Sequence, residues 1–237
     1  MRKILLALLA LATLNSGCRP NSGIRNYWSE RSVDIEDIHA AEEQFTDFAE
    51  LAVAAPEADA CVAIDRLLRK AGRDEVTFLV YSDWIARAFG LIASPCYSVP
   101  LFVHSANAVL SKQKPGSYLA EEYRAKLEFC LHNQAGSKAE LPIQYDFAER
   151  SLFLVVNQGC PSCRKAMDRL ASKFSGKAHL VALCHGRGPL PESQGWECVR
   201  LPDDQRIFDT AQSPFYFVTS ADGTVELPYK SAFSYEN

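Results

Sequence analysis

Gly159-Cys160-Pro161-Ser162-Cys163 is the stretch that most constrains this chain. It follows a continuous apolar run, Leu152-Phe153-Leu154-Val155-Val156, of the length and character of a strand buried on both faces. It precedes a segment, Arg164 to Phe174, that reads as a helix. A strand-to-helix junction thus places Cys160 at the helix N-terminus and Cys163 one turn on. Unpaired backbone N–H groups and the positive end of the helix dipole favour a thiolate there, and a thiolate is the nucleophile of disulfide exchange. Pro161 suits the first helical position, where a missing N–H costs nothing. Ser162 can donate a hydrogen bond to the thiolate. Cys160 is the expected attacking thiolate and Cys163 the buried resolving thiol. The alternative is a static structural disulfide, but neighbouring cysteines in so tight a loop make poor staples.

The following segments extend the pattern. His179-Leu180-Val181-Ala182-Leu183 reads as a second buried strand. A linker and a short helix lead to Ser213-Pro214-Phe215-Tyr216-Phe217-Val218, and Ala221-Asp222-Gly223-Thr224-Val225 supplies the Asp-Gly turn of a hairpin. In this order the segments, over about residues 140–237, resemble the thioredoxin superfamily. The resemblance implies an α/β fold, a central mixed sheet flanked by helices. It also implies a cis Ser213–Pro214 bond, with Pro214 facing the CxxC and helping to hold the partner chain, and Ser213 and Pro214 as the substrate-binding residues. Two positions depart from the family pattern. Gly159 stands where thioredoxins carry Trp, and Leu154 stands where they carry a buried acid that helps deprotonate the resolving thiol. Asp203 and Asp204 are candidates to replace that acid.

The first residues read as a leader. Arg2 and Lys3 form a basic region, Ile4 to Leu14 a short apolar core, and Leu14-Asn15-Ser16-Gly17-Cys18 resembles a bacterial lipobox. Asn15 departs from the large aliphatic residue usual at that position. The reading gives residues 1–17 as signal peptide, Cys18 as the lipid-modified mature N-terminus, and 18–23 as a polar tether. Ordinary signal cleavage or an uncleaved anchor are the alternatives. The full chain has a net charge of −4, and losing Arg2 and Lys3 makes it more acidic, which argues against a nucleic-acid partner.

Residues 24–138 read as a small all-α domain, with 139–237 as the thioredoxin-like one. Ala60, Cys61, Ile64, Leu67, Leu68 and Ala71 recur at helical spacing, and Gly72 ends that helix. Val76, Leu79, Val80, Trp84 and Ala88 continue the pattern in the next one. Leu101 to Ser111 forms a further helix, and Ser117 caps Tyr118 to Leu131. Gly136-Ser137-Lys138 marks the boundary before a strand expected at Ile143-Gln144-Tyr145-Asp146-Phe147. Asn26-Tyr27-Trp28, Gln44-Phe45-Thr46-Asp47-Phe48 and the helix starting at Pro100 are similar to a helical domain found before the thioredoxin-like domain of some exported TlpA-like lipoproteins. The aromatic positions in it read as core.

In an oxidising compartment the remaining cysteines can pair. Cys184 and Cys198 flank a Gly/Pro-rich loop, and a disulfide between them is expected, separate from the redox couple. Closing a loop of that size is worth ~3 kcal/mol in the chain-entropy model. The rival is a metal site built from these two, His185 and the CxxC, but the spacing fits no zinc pattern. Cys61, Cys96 and Cys130 leave an odd thiol in the helical part. His39, His104, His132 and His179 lie apart, in no triad or metal motif. No cofactor is expected: there is no phosphate loop or nucleotide fingerprint.

These readings converge on an envelope thiol–disulfide oxidoreductase, lipid-anchored at the outer membrane and facing the periplasm. The TlpA-like resemblance tilts it towards reduction. Its expected partners are thiol- or disulfide-bearing envelope proteins and a membrane electron donor. A binding or scaffold lipoprotein that uses a thioredoxin-like fold without redox chemistry is the alternative, favoured by the missing Trp and acid.

Overall fold

In the computed structural model of the protein, residues 22–191 and 193–233 are described. The leader, Cys18 and most of the tether lie outside them.

Six helices come first: α1 (Ser22–Arg25), α2 (Ile38–Ala54), α3 (Glu57–Ala71), α4 (Glu75–Gly90), α5 (Val99–Leu110) and α6 (Tyr118–Leu131). Side-chain caps set several of their starts. Asp37 accepts from the amides of His39 and Ala40, Asp74 from that of Thr77, and Ser117 from that of Ala120. Pro100 occupies the first turn of α5, where no intrahelical amide partner is needed. The Gly72 amide closes α3 by donating to the Leu68 carbonyl.

The aromatic residues of this region are core. Trp28 is fully buried and packs edge-on against Phe48 and Tyr81, while Phe45 contacts Phe48, Tyr81 and Trp84. The buried face of α4 differs from the expected one. Val76 and Leu79 are 58% and 41% exposed; Trp84 is buried as expected, and Phe78, Tyr81, Ile85 and Phe89 turn inward with it. The helix is apolar on nearly every side, so periodicity alone does not choose a face. The aromatic face removes more apolar area from water and wins.

The second part is a five-stranded sheet with strands β1 (Ser151–Asn157), β2 (His179–His185), β3 (Trp196–Arg200), β4 (Phe215–Thr219) and β5 (Val225–Ser231), and with helix α7 (Pro161–Phe174) between β1 and β2. The order is β3-β2-β1-β4-β5. β1, β2 and β3 run parallel, while β4 is antiparallel to β1 and to β5. Central β1 is buried from Ser151 to Val156, as its apolar run requires. Gly223, at φ +78, makes the β4–β5 turn, where Asp222 accepts from the Thr224 amide. A single 3-10 turn at Thr210–Gln212 stands where a short helix was expected.

The two faces of the sheet serve different neighbours. On one, Leu152, Leu154, Val156, Ala182 and Cys184 pack with Ala166, Met167 and Leu170 of α7. On the other, Phe153, Val155, Phe215, Phe217 and Tyr229 join the same core as the helical part. Phe129 of α6 bridges them, stacked on Tyr229 at 4.8 Å between ring centroids and edge-on to Phe215 at 5.5 Å.

Residues Ile143–Phe147 do not form the expected strand. Both hydrogen-bonding edges of β1 are already taken, by β2 and β4. The segment instead lies against the second face, with the rings of Tyr145 and Phe147 on Phe153 at 4.9 and 5.9 Å. Among the described residues no helix is long and apolar enough to cross a membrane.

Candidate active site

The C-terminal end of β1 turns into α7 through Gly159, which has φ +75. A side chain there would meet open space, so the demand for glycine is conformational rather than steric. This accounts for the absence of a large aromatic residue at the position: a Trp would have to adopt a left-handed backbone. The Cys160 amide donates to the Asn157 carbonyl at 3.3 Å and closes the turn. Cys160 is then the N-cap of α7 and Pro161 its first residue.

The two thiols sit in contrasting environments. Cys160 is partly exposed, and its sulfur lies 2.8 Å from the Ser162 hydroxyl. That hydroxyl is the largest influence on the Cys160 pKa; partial burial opposes it, and the Cys163 thiol and the first amides of α7 add to it, so the pKa is held below the ordinary thiol value. Cys163 is 3% exposed, and burial foremost, then its contact with Cys160, push its thiol up to about 12. One sulfur is thus prepared as nucleophile and the other holds its proton.

Among the described residues no carboxylate acts on Cys163. Leu154 is buried in the core beneath α7. Asp203 and Asp204 are exposed in the turn after β3, and neither is among the groups acting on Cys163, which are its own burial, Cys160 and the backbone of Asn157.

Ser213 and Pro214 enter the site from β4. The Ser213–Pro214 peptide is cis. Phe215 pairs with Val155, so Pro214 lies beside the end of β1, where the CxxC turn leaves the sheet. The Ser213 hydroxyl donates to the Thr210 carbonyl at 2.8 Å and lies 3.3 Å from Nε2 of His185. His185, at the end of β2, joins the site by a route the sequence did not make plain. Its register partner is Asn157, its carbonyl accepts from the Gln158 amide, and burial lowers its pKa, which favours the neutral ring.

A cleft of about 1010 Å³ opens between the start of α7 and the loop after β2, lined by Cys160, Cys163, Met167, Arg187, Leu190 and Pro191 among others. Arg200 holds that loop in place, donating to the carbonyls of Gly186 and Gly188 at 2.9 and 2.6 Å and to Gln158 at 3.3 Å.

Every described cysteine is a free thiol, and the expected Cys184–Cys198 bridge is not formed. Cys184 and Cys198 lie on neighbouring strands beneath α7 and interact with each other. Cys61, Cys96 and Cys130 lie in the helical part. His104, His132 and His179 each meet a carboxylate at 2.8 Å, that of Asp65, Glu140 and Glu197 respectively. Among the described residues no three metal-ligating side chains cluster.

No protein-family model matches the chain, and no curated protein matches it. A solved structure does: a thioredoxin-like protein from Bacteroides caccae ATCC 43185, with a TM-score of 0.70 and 15% sequence identity, over 98% of this chain and 96% of that one. The fold is thioredoxin-like, and the likeness extends through the helical part that precedes the sheet.

Proposed function

We propose that this chain is an exported, lipid-anchored thiol–disulfide oxidoreductase, similar to TlpA-like lipoproteins, that reduces disulfides of other envelope proteins. The contrast between Cys160 and Cys163 carries this reading: an accessible sulfur whose anion is stabilised, beside a buried one whose proton is held. The Cys160 thiolate attacks one sulfur of a partner disulfide, and the other partner sulfur leaves as a thiolate. Cys163 then loses its proton and attacks the Cys160 sulfur, releasing the partner's second thiol. Two electrons have passed to the partner, and the chain holds a Cys160–Cys163 disulfide. A membrane electron donor returns it to the dithiol. Ser213 and Pro214 would hold the partner's backbone beside Cys160. With burial pushing the Cys163 thiol up to about 12, its deprotonation makes resolution the slow step.

Residues 1–17 would be the signal peptide and Cys18 the lipid-bearing residue, placing the protein on the periplasmic side of the outer membrane. We take 24–138 and 139–237 as two domains. The test is a redox titration with thiols counted by mass. Reversible oxidation of Cys160 and Cys163 at biological poises is expected. A pair that stays unchanged across that range would favour the scaffold reading, which the buried Leu154 supports.

A further inference from the structure

Positive charge collects in the cleft beside Cys160. Arg164 and Lys165 of α7 line one side of it and Arg187 of the loop after β2 the other, and all three are exposed. Among the described residues none of these three side chains makes an ion pair or a hydrogen bond. By contrast Arg87, Arg124, Lys138 and Arg150 each hold a carboxylate, that of Asp83, Glu121, Asp222 and Glu226 respectively. One described carboxylate, that of Asp168, lines the cleft with the three cations; Glu192 lies outside the described residues. Arg164 also stands in the first turn of α7, which has no acidic residue. The helix dipole favours acids there and opposes cations, so helix stability does not account for the placement. The chain as a whole is acidic, at −4, so the excess of cations is local. Arg200 fixes the backbone on either side of Arg187, through the carbonyls of Gly186 and Gly188.

We propose that this cleft selects acidic polypeptide partners: the disulfide attacked by Cys160 lies in an exposed segment with Asp or Glu a few residues from its cysteine. The inference rests on the redox reading of Cys160 and Cys163. Arg164 and Lys165 stand about one helical turn from Cys160, roughly 6–8 Å along the axis. That distance matches two to three residues of an extended partner chain. A partner cysteine seated on Cys160 therefore brings carboxylates two or three residues away among the three cations. Leu190 and Pro191 give the same cleft an apolar wall for the intervening side chain. At about 1010 Å³ the cleft is as large as the largest ordinary small-molecule pockets, which suits a peptide segment. Complementary charge of this kind acts chiefly on the rate of encounter and on the choice between partners. The rest of the acidic surface repels the same partners, so they are steered to the one place where a thiolate waits.

The test mixes the reduced full chain with synthetic peptides that share one internal disulfide and differ only at the flanking residues: Asp and Glu, Asn and Gln, or Lys. Samples are quenched with acid and alkylated, and the Cys160–Cys163 disulfide is counted by mass. Each rate is divided by the rate of the same peptide with dithiothreitol, which removes the peptide's own reactivity. At low salt the acidic peptide is expected to react about tenfold faster than the neutral one, and the Lys peptide slowest. At about 1 M salt, where the screening length is about 3 Å, the ratios should approach one. With Arg164→Gln, Lys165→Gln and Arg187→Gln together the low-salt ratio should also approach one, and with Glu at all three positions the Lys peptide should lead. The wild-type salt dependence stands even if a variant misfolds. Equal rates for the three peptides, with the Cys160–Cys163 disulfide forming, would overturn the charge selection and leave the redox reading standing. A preference that survives the three Gln substitutions would overturn it too. Oxidised glutathione reacting as fast as the acidic peptide would overturn it in favour of small anionic disulfides. Absence of any Cys160–Cys163 disulfide would overturn both readings.

Discussion

The Ser162 hydroxyl lies 2.8 Å from the Cys160 sulfur, and it is the largest influence lowering that thiol's pKa. Ser162 is exposed, so Ser162→Ala should leave the fold intact while raising the Cys160 pKa. A net hydrogen bond of ~0.5–1.5 kcal/mol, screened at this exposed site, corresponds to a roughly 2–10-fold slower attack at neutral pH. The sign follows from which form reacts. The thiolate is the nucleophile, so alkylation of Cys160 should rise with pH through a midpoint below the ordinary thiol value, and the variant's midpoint should move up. Cys163, pushed up to about 12, should stay unreactive through neutral pH. Alkylation rates measured by mass across pH check both; an unmoved profile in Ser162→Ala would contradict the assignment.

Phe129 joins the helical part to the sheet by stacking on Tyr229. It is buried at 2% exposure, and Phe129→Ala is expected to cost about 3–5 kcal/mol of stability, the range for a buried Phe. Because that ring belongs to one core shared with Phe215 and Phe217, the loss should appear as a single earlier unfolding transition. Chemical denaturation followed by tryptophan fluorescence and far-ultraviolet circular dichroism measures it. Separate transitions, with the sheet unaffected, would contradict the shared core.

Much of the sheet was legible because its signals are local. The run Leu152–Val156, the second run at His179 and the Asp222-Gly223 turn each specify an element within a few residues. Helix starts at Ser117 and Pro100 were legible for the same reason. What failed was where the choice is made by distant partners. Ile143, Tyr145 and Phe147 alternate as a strand does, but alternation places side chains and does not say which edge is vacant. The inward face of α4 depended on what the rest of the helical core offered. In the site, Cys160 and Cys163 were visible as a motif, and Ser213-Pro214 through the resemblance. His185 was visible only as a member of the rival metal site, because its nearness to Ser213 comes from pairing β2 with β1 and β1 with β4.

If Cys18 carries lipid, intact mass of membrane-extracted protein should equal the chain from Cys18 onward plus acyl groups. Cys18→Ser should shift the protein from the membrane to the soluble fraction. A soluble wild-type product that starts elsewhere, with Cys18 unmodified, would contradict the anchor.

The central claim is the division of labour between Cys160 and Cys163. Removing Cys163 deletes the resolving thiol and should strand partners on Cys160 as mixed disulfides. Removing Cys160 deletes the accessible thiolate and leaves a buried, protonated thiol that attacks nothing. Non-reducing electrophoresis of envelope fractions that carry Cys163→Ser or Cys160→Ser measures this directly. The account predicts high-mass, reductant-sensitive adducts with Cys163→Ser and none with Cys160→Ser; equal adducts in the two, or none in either, would contradict it.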